Sequence, residues 1–363
     1  MNNYNEIIKE AINETYHFNR WRFQNEAEFK HELFHILANK FLKGNCLGCD
    51  NRISQVPILH AEARPENKIN SKADILICNP KAKIQPLFNY SVEYLLELKY
   101  KLNNRNLEKE IKKLDRYSRK FKSIYFISAT GNKNSIQNTK IEHHSSKNIN
   151  IIFPLNQTKE KISNYNPSKL NSIKVYEIVQ KCIIKTLNKY GNNKKQYKAY
   201  FWCNYEGEQK RGFSYPSEGD FNSFLYNELR LNLPKGIEIR SEYSIKDKDT
   251  NTNYRIDLVV SDIDKTFFIP IEVKMNWDQF KLKTNERDSE VFKILRRFEL
   301  LITKYKGKKI MPFLIVIQGH WRMPTTTKKE DSLYELRKAE INYDFLTFNE
   351  EKDKIEFYKH LPK

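Results

Sequence analysis

The chain has 363 residues, with 64 Lys+Arg against 45 Asp+Glu for a formal charge of +19, and it is 39% hydrophobic and 13% aromatic. That length predicts two or three domains, each able to bury a core, and the apolar content excludes a disordered chain although 30% of residues are charged. No run of about 18 apolar residues exists for a membrane span. The first twenty residues lack the apolar stretch of a signal peptide. Five scattered cysteines argue against a disulfide framework and for a reducing compartment, so a cytoplasmic protein with no membrane contact is expected. The basic charge favours a polyanionic partner, a hint shared with any Lys-rich soluble surface.

In chain order, residues 4–16 read as an amphipathic helix. A stronger helix follows over 26–43, with Phe29, Leu33, Phe34, Leu37 and Phe41 at helical spacing and Gly44 as its stop. Strands are predicted over 53–61, 73–78 and 92–100, then a charged helix over 107–121, then strands over 123–129 and 149–155. The polar run 157–168, which contains Pro167, reads as a linker. The pattern then restarts: helices over 172–190 and 220–233, strands over 237–245, 254–261 and 266–275, a helix over 288–305, and strands over 310–318, 343–349 and 355–361. A repeated order of this kind predicts a duplicated supersecondary plan. The expectation is two α/β domains, 1–156 and 169–363, each a mixed central β-sheet flanked by helices with an α-β-β-β-α-β core. The second carries an aromatic and basic insertion at about 191–218. Tyr197, Tyr200, Phe201, Trp202, Lys210 and Arg211 there suit nucleic-acid stacking and charge, with a packed hairpin as the rival reading.

Seven Glu-x-Lys tripeptides occur, and two of them end the third strand of each half: Glu97-Leu98-Lys99 and Glu272-Val273-Lys274. Strand alternation puts Glu97 and Lys99 on one face, opposite Val92, Tyr94, Leu96 and Leu98, and puts Glu272 and Lys274 together in the same way. The preceding strand of each half carries one acid in an apolar run, Asp74 or Asp257, and an antiparallel neighbour would set it beside the Glu. The second helix of each half carries Glu32 or Glu228, and each first strand holds Glu62 or Glu242. Clustered carboxylates call for a cation, and oxygen-only ligands select hard Mg²⁺ or Mn²⁺. Such an ion beside a lysine suits hydrolysis of a phosphodiester.

These residues, in this order and context, resemble the PD-(D/E)XK nuclease superfamily, the restriction-endonuclease-like fold, over roughly 26–156 and 218–350. The resemblance implies that Asp74 with Glu97, and Asp257 with Glu272, hold the metal, with the Leu98 and Val273 carbonyls completing its shell. It also implies that Lys99 and Lys274 are catalytic lysines and that Glu32 and Glu228 are helix-borne acids of the site. Two features differ from the family pattern. Ala73 and Ile256 stand where a Pro precedes the Asp, and 22 residues separate Asp74 from Glu97 whereas 14 separate Asp257 from Glu272. Pro270, inside the second motif strand, predicts a bulge or irregular pairing.

Lys112, Lys113 and Arg116 in the first half, and Arg296 and Arg297 in the second, are candidates for phosphate contact. Cys46 and Cys49 have zinc-knuckle spacing without a second ligand pair, so two ordinary loop thiols are expected. The functional expectation is a Mg²⁺-dependent endonuclease acting on DNA, with two pseudo-symmetric sites in a monomer or a homodimer and a role in restriction or defence. The rival is a nucleic-acid-binding protein that uses the fold with one or both sites inactive. If one copy alone is active, the tighter motif spacing favours the second.

Overall fold

The computed structural model describes residues 4–19, 25–43, 58–63, 73–78, 92–101, 103–114, 121–130, 149–153, 171–192, 218–274, 290–317, 342–349 and 354–360. The Cys46–Cys49 pair, Arg116, the run 157–168 and most of the aromatic insertion lie outside them. The chain groups into two compact units, Met1–Ile162 with Lys195–Phe224, and Ser163–Lys194 with Leu225–Lys363. The architecture is mixed α/β with two mixed sheets. No described helix is long and apolar enough to cross a membrane.

The first sheet has the order β1-β2-β3-β4-β5, built from Ile58–Ala63, Ala73–Cys78, Val92–Lys101, Ser123–Thr130 and Ile149–Ile152. The first three strands pair antiparallel, and β3, β4 and β5 pair parallel. Helices α1 (Tyr4–Asn19) and α2 (Glu26–Lys43) precede the sheet, and α3 (Asn104–Leu114) crosses from β3 to β4, the kind of crossover that parallel strands require. Ile8, Ile12, Phe29, Leu33, Phe34 and Leu37 on the first two helices are buried, as are Ile75, Leu96, Leu98 and Tyr125 on the strands. Each such side chain contributes about 1.5–3 kcal/mol on leaving water.

The second sheet has the order β12-β11-β10-β8-β7-β6, with the two-residue β9 (Lys309–Ile310) also paired to β8. Its strands are β6 (Ile237–Asp247), β7 (Thr252–Asp262), β8 (Phe267–Lys274), β10 (Phe313–Ile317), β11 (Tyr343–Asn349) and β12 (Lys354–His360). Again three strands pair antiparallel (β6, β7, β8), and three pair parallel (β8, β10, β11). The added strand β12 runs antiparallel to β11. Helices α4 (Ser172–Asn192) and α5 (Glu218–Asn232) precede the sheet, and α6 (Glu290–Lys304) crosses from β8 towards β10. Ile245, Ile256, Val259, Phe268 and Leu301 form a core cluster in which the Phe268 ring stacks on Tyr305 at 4.0 Å.

Three helices start on the same device. Asn25 Oδ1 accepts the Glu28 N–H at 3.0 Å, and Asn171 Oδ1 accepts the Ile173 N–H at 2.9 Å. Asn103 and Asn106 satisfy each other's backbone N–H at 2.7 and 3.0 Å. An Asn N-cap fills one of the orphan donors of the first turn and is worth about 1 kcal/mol. The reciprocal Asn pair explains why α3 begins at Asn104 instead of near 107.

Pro270 does not interrupt its strand. The β7–β8 ladder runs in one register through Leu258↔Ile271, Val259↔Pro270, Val260↔Ile269 and Ser261↔Phe268. The expected bulge is absent because the missing donor faces the other side. Phe268 gives its carbonyl to the Met311 N–H at 3.0 Å, so alternation aims Pro270 at that same edge. There β9 has ended and β10 has not begun, so no ladder bond is lost.

Candidate active site

In the first half, the pairing Ile75↔Leu96 places Asp74, one step along, opposite Glu97. Asp74 Oδ2 accepts the N–H of Leu98, the peptide between Glu97 and Lys99, at 2.7 Å. In the second half, Leu258↔Ile271 places Asp257 opposite Glu272, and Asp257 Oδ2 accepts the Val273 N–H at 2.8 Å. The same backbone clasp therefore occurs twice, each time fixing the aspartate over the middle residue of the Glu-x-Lys motif. A charge-assisted bond of this type holds a carboxylate in a single orientation.

Neither motif lies on an open sheet face. Every residue of β8 is buried, Glu272 completely, and in β3 the run 93–98 is buried. Side chains of both parities are buried along each strand, so both faces of each are covered. The ionised side chains must then find partners inside the protein.

The two halves supply those partners differently. Lys99 Nζ lies 3.6 Å from Glu97 Oε1, 3.6 Å from Glu26 Oε1 at the start of α2, and 3.8 Å from Glu110 Oε1 in α3. It also donates to the Leu98 carbonyl at 2.8 Å. Burial disfavours its charge, but Asp74, Glu97, Glu26 and Glu110 together outweigh that and hold the ammonium above the ordinary lysine range. Glu26 is pushed up to about 7, first by burial and then by the charge of Asp74. In the second half, Lys274 Nζ stands 3.9 Å from both Asp257 Oδ2 and Glu272 Oε2. Arg297 of α6 closes onto Glu272, Nη1 to Oε2 at 2.6 Å. Among the described residues, four carboxylates thus act on Lys99 in the first half, with Lys30 also acting on Glu26, whereas two carboxylates face an ammonium and a guanidinium in the second.

The other expected residues fall as follows. Glu32 is buried in α2, six residues and hence about 120° round the helix from Glu26. Glu228 is tied to Lys185 of α4 and accepts from Asn232 Nδ2 at 2.8 Å. The pairs flanking Glu62 and Glu242 place both in the rows of Asp74 and Asp257, and Glu242 sits at φ 47° with Arg255 Nη1 2.9 Å away. Lys112 is exposed on α3, while the side chains of Lys113 and Arg116 lie outside the described residues. Arg296, expected to meet phosphate, instead forms a fork with Asp247, Nε to Oδ2 at 2.9 Å and Nη2 to Oδ1 at 3.0 Å. That guanidinium holds the Asp247 carboxyl down to about 2. Arg297 likewise turns to a carboxylate.

Glu26 and Glu110 escaped the sequence reading, although each left a trace. Glu110 lies one turn after the buried Leu107, on the same face of the helix. Glu26 opens α2 directly behind its Asn25 cap.

Among the described residues, no three His, Cys, Asp or Glu side chains converge as a ready-made ion cage. Mg²⁺ does not require one, because it is commonly held by one or two carboxylates with waters and substrate phosphate. Asp74 and Glu97 fit that donor set. Oε2 of Glu97 is buried and accepts no hydrogen bond from the described residues, while its Oε1 faces Lys99. Oε1 of Glu272 is likewise buried and accepts no hydrogen bond from the described residues, so what sets Glu272 apart is the guanidinium at its Oε2. No protein-family model matches this chain, and a search of curated proteins finds no match.

Proposed function

We propose that the chain is a metal-dependent endonuclease of the PD-(D/E)XK type that hydrolyses phosphodiester bonds of DNA. The observation that carries this reading is the duplicated clasp. In each half an aspartate from one strand lies opposite the motif glutamate of the next, held by the N–H just before the motif lysine at 2.7 or 2.8 Å. An ordinary surface ion pair on an amphipathic strand would not bury its acids or recur with the same backbone bond. The α-α-β-β-β-α-β order of both halves and the +19 charge support the same reading.

Asp74 and Glu97 would hold Mg²⁺ or Mn²⁺. When bound, the ion supplies charge compensation for the phosphate and acidifies water. Lys99, held firmly protonated, acts as a fixed cation for the charge that develops on phosphate oxygens and is unsuited to act as a base. The basic surface draws in the polyanion, so affinity falls steeply with salt.

The test is cleavage of plasmid and single-stranded DNA with Mg²⁺ by wild type, Asp74→Ala, Asp257→Ala and the double variant. Loss of at least a hundredfold in the double variant is expected, and undiminished cleavage would overturn the proposal. The second reading is DNA binding without hydrolysis. The Arg297–Glu272 contact favours it for the second half, and tight binding without metal-dependent cleavage would establish it.

A further inference from the structure

We infer that the two motif copies divide their roles: the first takes the divalent cation, and the second is closed to it by Arg297, which stands at Glu272 as a built-in cation. The inference rests on the nuclease reading above and identifies which copy carries the chemistry.

Three differences between the halves lead to it. Glu272 is wholly buried and its Oε2 lies 2.6 Å from Arg297 Nη1, with both side chains largely withdrawn from solvent. A short charge-assisted contact in a low-dielectric setting is costly to open. A divalent ion would also have to settle beside a guanidinium. Next, the crossover helix after the motif strand presents opposite charges. α3 brings Glu110 to within 3.8 Å of Lys99, whereas α6 brings Arg297 to the motif glutamate. Finally, matching Glu32 with Glu228 in sequence aligns Glu26 with Asn222, so the acid that stands beside Lys99 has no acidic counterpart at the matching position of the second half. Among the described residues, Asp74, Glu97, Glu26 and Glu110 act on Lys99 in the first copy, whereas in the second Arg297 joins Lys274 beside Glu272.

Two consequences follow for substrate handling. One loaded site cuts one strand in each encounter, so the primary product on duplex DNA is a nick. The second half retains the sheet and clasp and contributes binding instead of hydrolysis, which reverses the preference that motif spacing alone suggested.

Counting Mn²⁺ bound to the full chain, by calorimetric titration and by loss of the free-ion paramagnetic resonance signal, tests the inference. Wild type is expected to bind one ion per chain. Asp74→Ala should weaken that binding at least tenfold, and Glu272→Gln should leave the count at one. Arg297→Met, which removes the guanidinium but keeps an apolar stem, should raise the count to two. Two ions on wild type, a lost ion in Glu272→Gln, or a folded Arg297→Met that still binds one would each overturn the inference while leaving the nuclease reading intact. No ion on wild type with DNA present would overturn the nuclease reading and the inference with it. If Arg297→Met fails to fold, the wild-type count and Glu272→Gln decide the matter.

Discussion

Replacing Lys99 with Met should destabilise the protein and make its stability depend on Mg²⁺. Lys99 Nζ lies 3.6–3.8 Å from Glu97, Glu26 and Glu110. Each such contact is worth about 4–5 kcal/mol gross at an effective dielectric of about 20. Desolvation of the ammonium cancels much of this, and solvent screens the half-open Glu26. Removing one partner from a buried ionic cluster typically costs about 3–5 kcal/mol net, and a loss of that size lowers a melting temperature by about 10 °C. A divalent ion binding the vacated cluster at about 100 times its Kd restores about 2.7 kcal/mol. Thermal unfolding of the full chain in chelator and in saturating Mg²⁺ should therefore show a deep loss that Mg²⁺ largely repairs. Lys274→Met is the control, because Arg297 remains on Glu272. It should lose less and gain little from the ion. A Lys99→Met protein that melts like wild type, or that ignores Mg²⁺, would refute this account of the cluster.

Asp257→Ala strands the buried Val273 N–H and should cost about 1–3 kcal/mol in urea unfolding. Asp257→Asn, which retains an acceptor, should cost under about 1 kcal/mol, and equal losses would show that the clasp is not what matters. Glu26 keeps its proton in the folded chain up to about pH 7, above its ordinary 4.5, so the folded state binds more protons in that window and stability falls as pH rises through it. In chelator, the melting temperature of Glu26→Gln should therefore pull ahead of wild type between about pH 5 and about pH 8, whereas parallel curves would contradict the assignment. Phe268→Ala, which removes a fully buried ring stacked on Tyr305, should cost about 3–5 kcal/mol by calorimetry. A loss under about 1 kcal/mol would show that this ring is not central to the second core.

Much of the architecture was legible because local periodicity and position in the sheet agree. The apolar spacing of 26–43 gives α2 as it stands, and the runs 73–78 and 343–349 coincide with β2 and β11. Asp74 and Asp257 were readable as neighbours of Glu97 and Glu272, since antiparallel pairing brings directly opposite residues together. What escaped depends on the third dimension. Alternation along 92–100 assigns one buried and one open face, but residues 93–98 are buried on both faces of β3. The helix acid beside Lys99 is Glu26, because the start of α2 approaches the motif, a fact that helix spacing does not encode. Arg297 reads as a phosphate ligand in a basic chain, and only the burial of Glu272 shows why it turns inward.

The outermost strands bear on how two mixed sheets avoid sticking to other copies of themselves. An exposed, flat row of backbone donors and acceptors is a template for intermolecular strand addition. Among the described residues, β5 has only four residues, too short for an extended foreign ladder. β6 is long, with 11 residues, but Glu242 holds a left-handed φ of 47° near its middle, and a side-chain-bearing residue in that conformation breaks the even row of groups along its free margin. The acid in line with the second motif thus also interrupts the edge on which an aggregate would otherwise nucleate.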